Sequence, residues 1–356
     1  MRKLLIAICA VFALVACDDA PKNPTNKPVI KIGAVLPLSG DFANVGNSFK
    51  NAMTMALADV RKTDTKYHYE LVVDDSGFET KKDALLFNKQ AHTDKVSAMV
   101  SFASASGNVI APLAQANKII YLNVGASDPV VAAGDYNFIH WTPSDVTAQR
   151  VVDFYKSRGW DNIVFLGSID AGVEKIESEF TKLAHAAGMK TRAFYANGNE
   201  KDLRVIIRQA ADEKPDAFMI MFWGGQLPVF VKQYHEAGLN IPLTNIETFA
   251  MAPDFDIIEG AYFSDVAQNS DEFNERLHDE YPKTQNDFAT GNYYDAIMLI
   301  VRAFESADVP EDAVAELQKI KTYTGIVGKL EQDKIGIFRS GAVMKQIKNG
   351  KAELIK

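Results

Sequence analysis

Residues 29–40 read VIKIGAVLPLSG. The first eight of them are apolar or β-branched apart from Lys31 and Gly33, and Pro37 and Gly40 follow directly. A run of this kind suits a strand covered on both faces, and the proline and glycine end it in a loop. The next pattern has another period. Phe49, Met53, Ala56, Leu57 and Val60 recur at three- and four-residue steps, which is one apolar helix face. Strand, loop and helix in this order are the unit of a parallel sheet with helices packed on its faces.

The unit repeats along the chain. Further strands are predicted at Tyr69 to Val73, Val96 to Phe102 and Lys118 to Asn123. A second set covers Ile163 to Gly167, Thr191 to Tyr195, Ala217 to Phe222 and Ile241 to Thr244. Between the two sets, near Trp141 to Asp145, the chain is expected to change lobes. Val151, Phe154 and Tyr155 then open a helix that Gly159 ends. With 356 residues the chain is long for a single core, so two lobes are the better expectation. The fold class is therefore α/β, with two doubly wound parallel-sheet lobes. In open α/β sheets ligands sit beyond the carboxyl ends of the strands, so two facing lobes would bring strand-end loops onto one ligand.

The first residues speak for export. Arg2 and Lys3 precede an apolar run from Leu4 to Val15, too short to span a bilayer core, which needs roughly 20 residues. The run ends in Leu14-Val15-Ala16-Cys17, which resembles the bacterial lipobox and implies cleavage before Cys17 and its acylation. Cys9 lies in the segment that would be removed, so the mature chain would carry one cysteine and no internal disulfide. Asp18 to Pro28 holds three prolines and no large apolar residue, and reads as a tether. The formal charge is −8 with no basic stripe, which argues against nucleic acid as a partner.

The motifs now gain specificity as a set. Ile30 to Gly40 resembles the opening strand and loop of the branched-chain amino-acid-binding family of periplasmic proteins. Val73-Asp74-Asp75 with Thr80 to Ala84, Ser104-Ala105-Ser106, Ala111 to Ala114 and Gly125 to Pro129 are similar to that family in order and spacing. The likeness continues through Asp216 to Phe218, Gly224-Gly225, Glu236 to Leu239 and Gly341 to Lys351. The resemblance implies a type I binding-protein fold with three crossings between lobes, near Trp141 to Ser144, Ser264 to Gln268 and Tyr323 to Gly328. The expected division is a signal segment at 1–16, a lipidated cysteine and linker at 17–28, and two lobes. Residues 29–142 and 267–325 would form the first lobe, and 143–266 and 326–356 the second.

Site residues follow from both readings. Ser104 and Ser106 end a strand and open a helix, where hydroxyls and unpaired amides can receive a carboxylate. The resemblance gives the position of Ser104 a contact with the ligand's α-carboxylate. It gives Gly125 and Ser127 contacts with carboxylate and ammonium, and Glu247 the acidic role opposite an α-ammonium. Tyrosines common in the family are replaced here by Val45, Ala171 and Gln226. The large aromatics Phe42, Phe102 and Trp223 stand as candidate lining for an apolar or aromatic side chain, with Ala171 at the second lip.

The implied function is an extracytoplasmic solute-binding lipoprotein of an ABC importer for a small amino-acid-like ligand. It would work on the outer face of the cytoplasmic membrane with a permease as partner. Two alternatives stand beside it: a sensor of the same fold reporting to a membrane receptor or cell-wall enzyme, and a binder of small aromatic acids or amides. An enzyme is disfavoured. The six histidines show no metal-ligand spacing, and the chain has no GxSxG elbow, phosphate loop or dinucleotide fingerprint. No cofactor or metal is expected.

Overall fold

The computed structural model describes residues 27–252, 254–266, 269–284 and 286–355. The expected signal segment, Cys17 and most of the tether lie outside the described residues. From Val29 the chain builds β1 (Val29–Leu36), α1 (Ala43–Val60), β2 (His68–Asp75), α2 (Thr80–Lys89), β3 (Ala98–Phe102), α3 (Ala103–Asn117), β4 (Ile120–Val124) and β5 (Asn137–His140). It then changes lobes. α4 (Ser144–Arg158), β6 (Asn162–Ser168), α5 (Ala171–Ala186), β7 (Lys190–Ala196), α6 (Arg204–Asp212), β8 (Ala217–Met221), α7 (Gln226–Glu236), β9 (Leu243–Ile246) and β10 (Tyr262–Val266) follow. The chain returns through α8 (Asp271–Glu280), α9 (Thr290–Ser306), α10 (Ala313–Lys319), β11 (Thr322–Gly325), β12 (Gly328–Gln332) and β13 (Ile337–Arg339). It ends in β14 (Ala342–Lys348) and β15 (Lys351–Leu354).

Among the described residues one sheet has the order β11-β12-β13-β5-β4-β3-β1-β2 and the other β15-β14-β10-β9-β8-β6-β7. In the first, β1 pairs in parallel with β2 and β3, and β3 with β4. Every residue of β3 and β4 is buried, as expected of strands covered on both faces. The apolar stripe of α1 buries Phe49, Met53, Ala56 and Leu57 completely or nearly so, and Phe49 stacks on Tyr293 of α9 with centroids 4.2 Å apart. In the second sheet β6 pairs in parallel with β7 and β8. α4 stops at Gly159, whose φ of +69° is the left-handed close of a helix.

The expected parallel strands are all present, but each sheet also has an antiparallel margin that periodicity did not predict. β11 and β12 form a hairpin, and β14 pairs antiparallel with both β10 and β15.

One crossing is corrected. Tyr323 to Gly328 does not change lobes; it holds the end of β11, the turn at Ile326 and Val327 and the start of β12, all within the first sheet. Asp295 of α9 pins that turn by accepting the Ile326 and Val327 amides at 2.9 and 3.2 Å. The chain changes sheets between Arg339 and Ala342, so residues 326–339 lie with the first sheet rather than the second. A glycine-flanked polar strand looks alike in a hinge and a hairpin, which is why the sequence misled. The first crossing runs from His140 through Thr142 to Ser144. It lies against the third, where the Thr142 and Ser340 hydroxyls are 2.6 Å apart and Thr142 donates to the Gly341 carbonyl at 3.0 Å. Around the second, β10 ends at Val266, and Asn269 is already tied to α9 through Thr290 and Gly291.

Candidate functional site

The carboxyl ends of the strands from both lobes converge on one narrow cavity between the lobes. From the first lobe come Phe102, Ala103 and Ser104 at the β3–α3 junction, Gly125 and Ser127 after β4, Trp141 on the first crossing and Phe288 before α9. The second contributes Asp170, Gly172 and Ile176 of α5 and its start, Trp223 after β8, and Glu247, Thr248 and Met251 after β9.

Ser104 is buried, and its Oγ accepts the backbone amides of Ser127 and Asp128 at 3.0 and 3.1 Å. With both lone pairs engaged, the hydroxyl proton is left to donate elsewhere. The same residue stands in the first turn of α3, where backbone amides lack helical partners and the helix dipole is positive. Gly125 has φ +88°, and a Cβ there would come 2.9 Å from the Phe102 ring. No side chain fits between this loop and the ring. This wall of the cavity is built to donate hydrogen bonds.

The facing wall is acidic. Glu247 is 5% exposed and adopts φ +66°, a costly backbone for a residue with a side chain. Its Oε2 accepts from Trp141 Nε1 at 2.8 Å, while Oε1 is buried with no protein partner. Burial pushes this carboxyl up to about 7, opposed by the hydrogen bond from Trp141 and aided by repulsion from Asp265. Asp170 caps α5, accepting Gly172 and Val173 amides at 2.8 and 3.3 Å, and burial raises its pKa as well. The lobes are close at this point, since a Cβ on Gly172 would lie 3.4 Å from Ser104 Oγ.

Of the residues expected at the site, Ser104, Gly125, Ser127, Glu247, Trp223 and Phe102 border this one cavity. Three others do not. Ser106 lies two positions past Ser104, about 200° around the helix, and donates to the buried Asp83 of α2 at 2.5 Å. Ala171 is exposed, and its neighbour Gly172 takes the position expected of it. Phe42 lies outside the lining, at the lip, with its ring 4.8 Å from Phe78 and 6.2 Å from Trp223. Sequence reasoning missed Trp141, Phe288, Met251 and Asp170. An aspartate directly before a helix is a readable cap and could have flagged Asp170. Phe288 and Met251 carry no local signal. Among the described residues no cluster of histidine, cysteine and acidic side chains could hold a metal, and no helix is long and apolar enough to cross a membrane.

Two α/β lobes, joined by crossing strands and shut around a cavity with opposed donor and acidic walls, define a binding protein of the type I periplasmic fold. The family model described as periplasmic binding protein matches residues 29–350, and the chain belongs to that family. Among solved structures, the leucine-binding protein LivK of Thermotoga maritima is similar, with a TM-score of 0.84 and 21% identity over 92% of this chain and 98% of that one. LivJ of Streptococcus pneumoniae, solved with isoleucine, gives 0.81 and 18% over 92% and 99%. A solute-binding protein of an ABC transporter from R. palustris, solved with benzoate, gives 0.80 and 17% over 92% and 95%. At these identities the likeness concerns the fold. No curated protein matches the chain.

Proposed function

We propose that the chain is the solute-binding component of an ABC importer, exported, held at the outer face of the cytoplasmic membrane by lipid on Cys17, and closing on a small amino-acid-like ligand. The observation that carries the ligand class is the buried Oε1 of Glu247, unpartnered in a cavity whose other wall offers the Ser104 hydroxyl and the start of α3. A ligand carboxylate accepts hydrogen bonds from Ser104, Ser127 and the first-turn amides, where a partly buried anion gains up to ~2 kcal/mol. An α-ammonium donates to Glu247 Oε1, returning the carboxyl to its charged form as the cation arrives. The side chain then meets Trp223, Phe102, Phe288 and Met251, which suits an apolar or aromatic group. LivK and LivJ are named for leucine and branched-chain amino acids, which supports this reading.

The aromatic lining favours a second reading, an aromatic acid without an amine. A carboxyl pushed up to about 7 is partly protonated at neutral pH, so Glu247 could donate to such a ligand instead of accepting from it. The relative solved with benzoate supports that alternative.

Calorimetry with a panel of amino acids and small aromatic acids tests both. Under the first reading Glu247→Gln weakens the best amino acid by tenfold or more, about 1.5–3 kcal/mol for a lost hydrogen bond to a charged group. Unchanged affinity in that variant removes the ammonium assignment. An aromatic acid that binds wild type and variant alike establishes the second reading.

A further inference from the structure

The lips of the cleft meet outside the ligand cavity. Asp41 and Phe42 lie just before α1 and Phe78 just before α2, while Trp223 to Gly225 bridge β8 and α7 on the other lobe. Trp223 meets both phenylalanines edge-on, with centroids 6.2 Å from each and interplanar angles of 88° and 89°. Perpendicular rings at this spacing attract through their quadrupoles. Beside them the Gly225 amide, at the start of α7, donates to Asp41 Oδ2 at 3.0 Å.

Both glycines are needed for this approach. A Cβ on Gly224 would come 3.3 Å from the Phe42 ring, and one on Gly225 2.8 Å from the Asp41 carboxylate. Phe78 is held at some cost, with φ +63° in the left-handed region. Its amide donates to Ser76 Oγ at 3.2 Å. Behind it, the fully buried Asp83 of α2 accepts from Ser106 at 2.5 Å. Phe78 is thus fixed by its own backbone conformation and by the Ser76 hydroxyl.

We propose that Asp41, Phe42 and Phe78 on one lip, with Trp223, Gly224 and Gly225 on the other, form a latch that sets how much of the unliganded protein is closed. The cross-lip contacts exist only when the lobes are shut. Asp41, Phe42 and Phe78 do not line the cavity. A ligand that binds the closed form has an apparent dissociation constant divided by the fraction already closed. Asp41, Phe42 and Phe78 thus scale affinity for every ligand by one factor, whereas Glu247, Ser104 and Trp223 line the cavity and discriminate among ligands. This rests on the reading of the chain as a closing binder.

Hydrogen–deuterium exchange of the full chain without added ligand tests it, read at the peptide covering 171–176 across the cavity from the lips. Asp41→Ala and Phe42→Ala are expected to raise exchange there with melting temperatures near that of wild type. Both should weaken every ligand of the calorimetric panel by the same factor, about three- to tenfold for one cross-lobe contact. Exchange at 171–176 equal to wild type in both variants overturns the latch. So does a loss of affinity confined to one ligand class. If nothing in the panel binds wild type, the ligand reading fails and the exchange arm still decides the latch.

Discussion

Glu247 combines a backbone at φ +66° with a carboxyl that burial pushes from its ordinary 4.5 to about 7. A raised acid binds its proton more tightly in the folded chain than in the unfolded one, so it favours the fold where it is protonated. Its contribution is complete below about 4.5 and is lost as pH climbs through about 7. The span corresponds to about 3 kcal/mol. Urea unfolding of the unliganded protein at pH 5 and pH 8 should show a loss of that order between the two, and Glu247→Gln should remove it. An equal pH dependence in both proteins would mean that the group is not buried as described. The residue's role was legible only through family resemblance, since a glutamate after a strand has no pattern of its own. Ser106 shows the reverse error. Spacing along the sequence brought it beside Ser104, but the helical turn of 100° per residue sends the two hydroxyls to opposite partners.

Elements were legible where burial imposed a period. β1 lies where its apolar run predicted, and α1 and α4 follow their three- and four-residue steps. The strands β11 to β15 are short or weakly alternating, and what defines them is their antiparallel pairing and their place beside β5 and β10. The lobe change assigned to the β11–β12 hairpin failed for that reason. Two glycines of like backbone separate local from functional constraint. Gly159 has φ +69° with nothing within 4 Å of an added Cβ, whereas Gly125 has φ +88° and meets Phe102 at 2.9 Å. Gly159→Ala should cost about 1 kcal/mol of stability, the strain of a left-handed residue, and leave ligand affinity unchanged. Gly125→Ala should cost about 2–3 kcal/mol and weaken binding, because the loop carrying Ser127 must move off the ring. Thermal melts and calorimetry on the pair would read both effects.

At the scale of the molecule, the lobes share one cavity and three crossings, two of them joined through Thr142 and Ser340. A ligand touching both lobes stabilises them as a unit. Calorimetric scans should show the unfolding free energy rising by about 2.7 kcal/mol at a hundredfold excess over the dissociation constant, in a single transition. A scan in which only one lobe's transition moves would contradict a shared site. The pairing of β10 with β14 has a further bearing, on biogenesis. β10 is made about 75 residues before its antiparallel neighbour, which arrives only after α8 to β13 have been built into the opposite lobe. Until then one margin of β10 is an open template of backbone donors and acceptors, the kind that invites pairing with a foreign strand. The second lobe therefore cannot reach its finished sheet during synthesis until the first has nearly all its parts, and the nascent molecule is most open to misassembly in that interval.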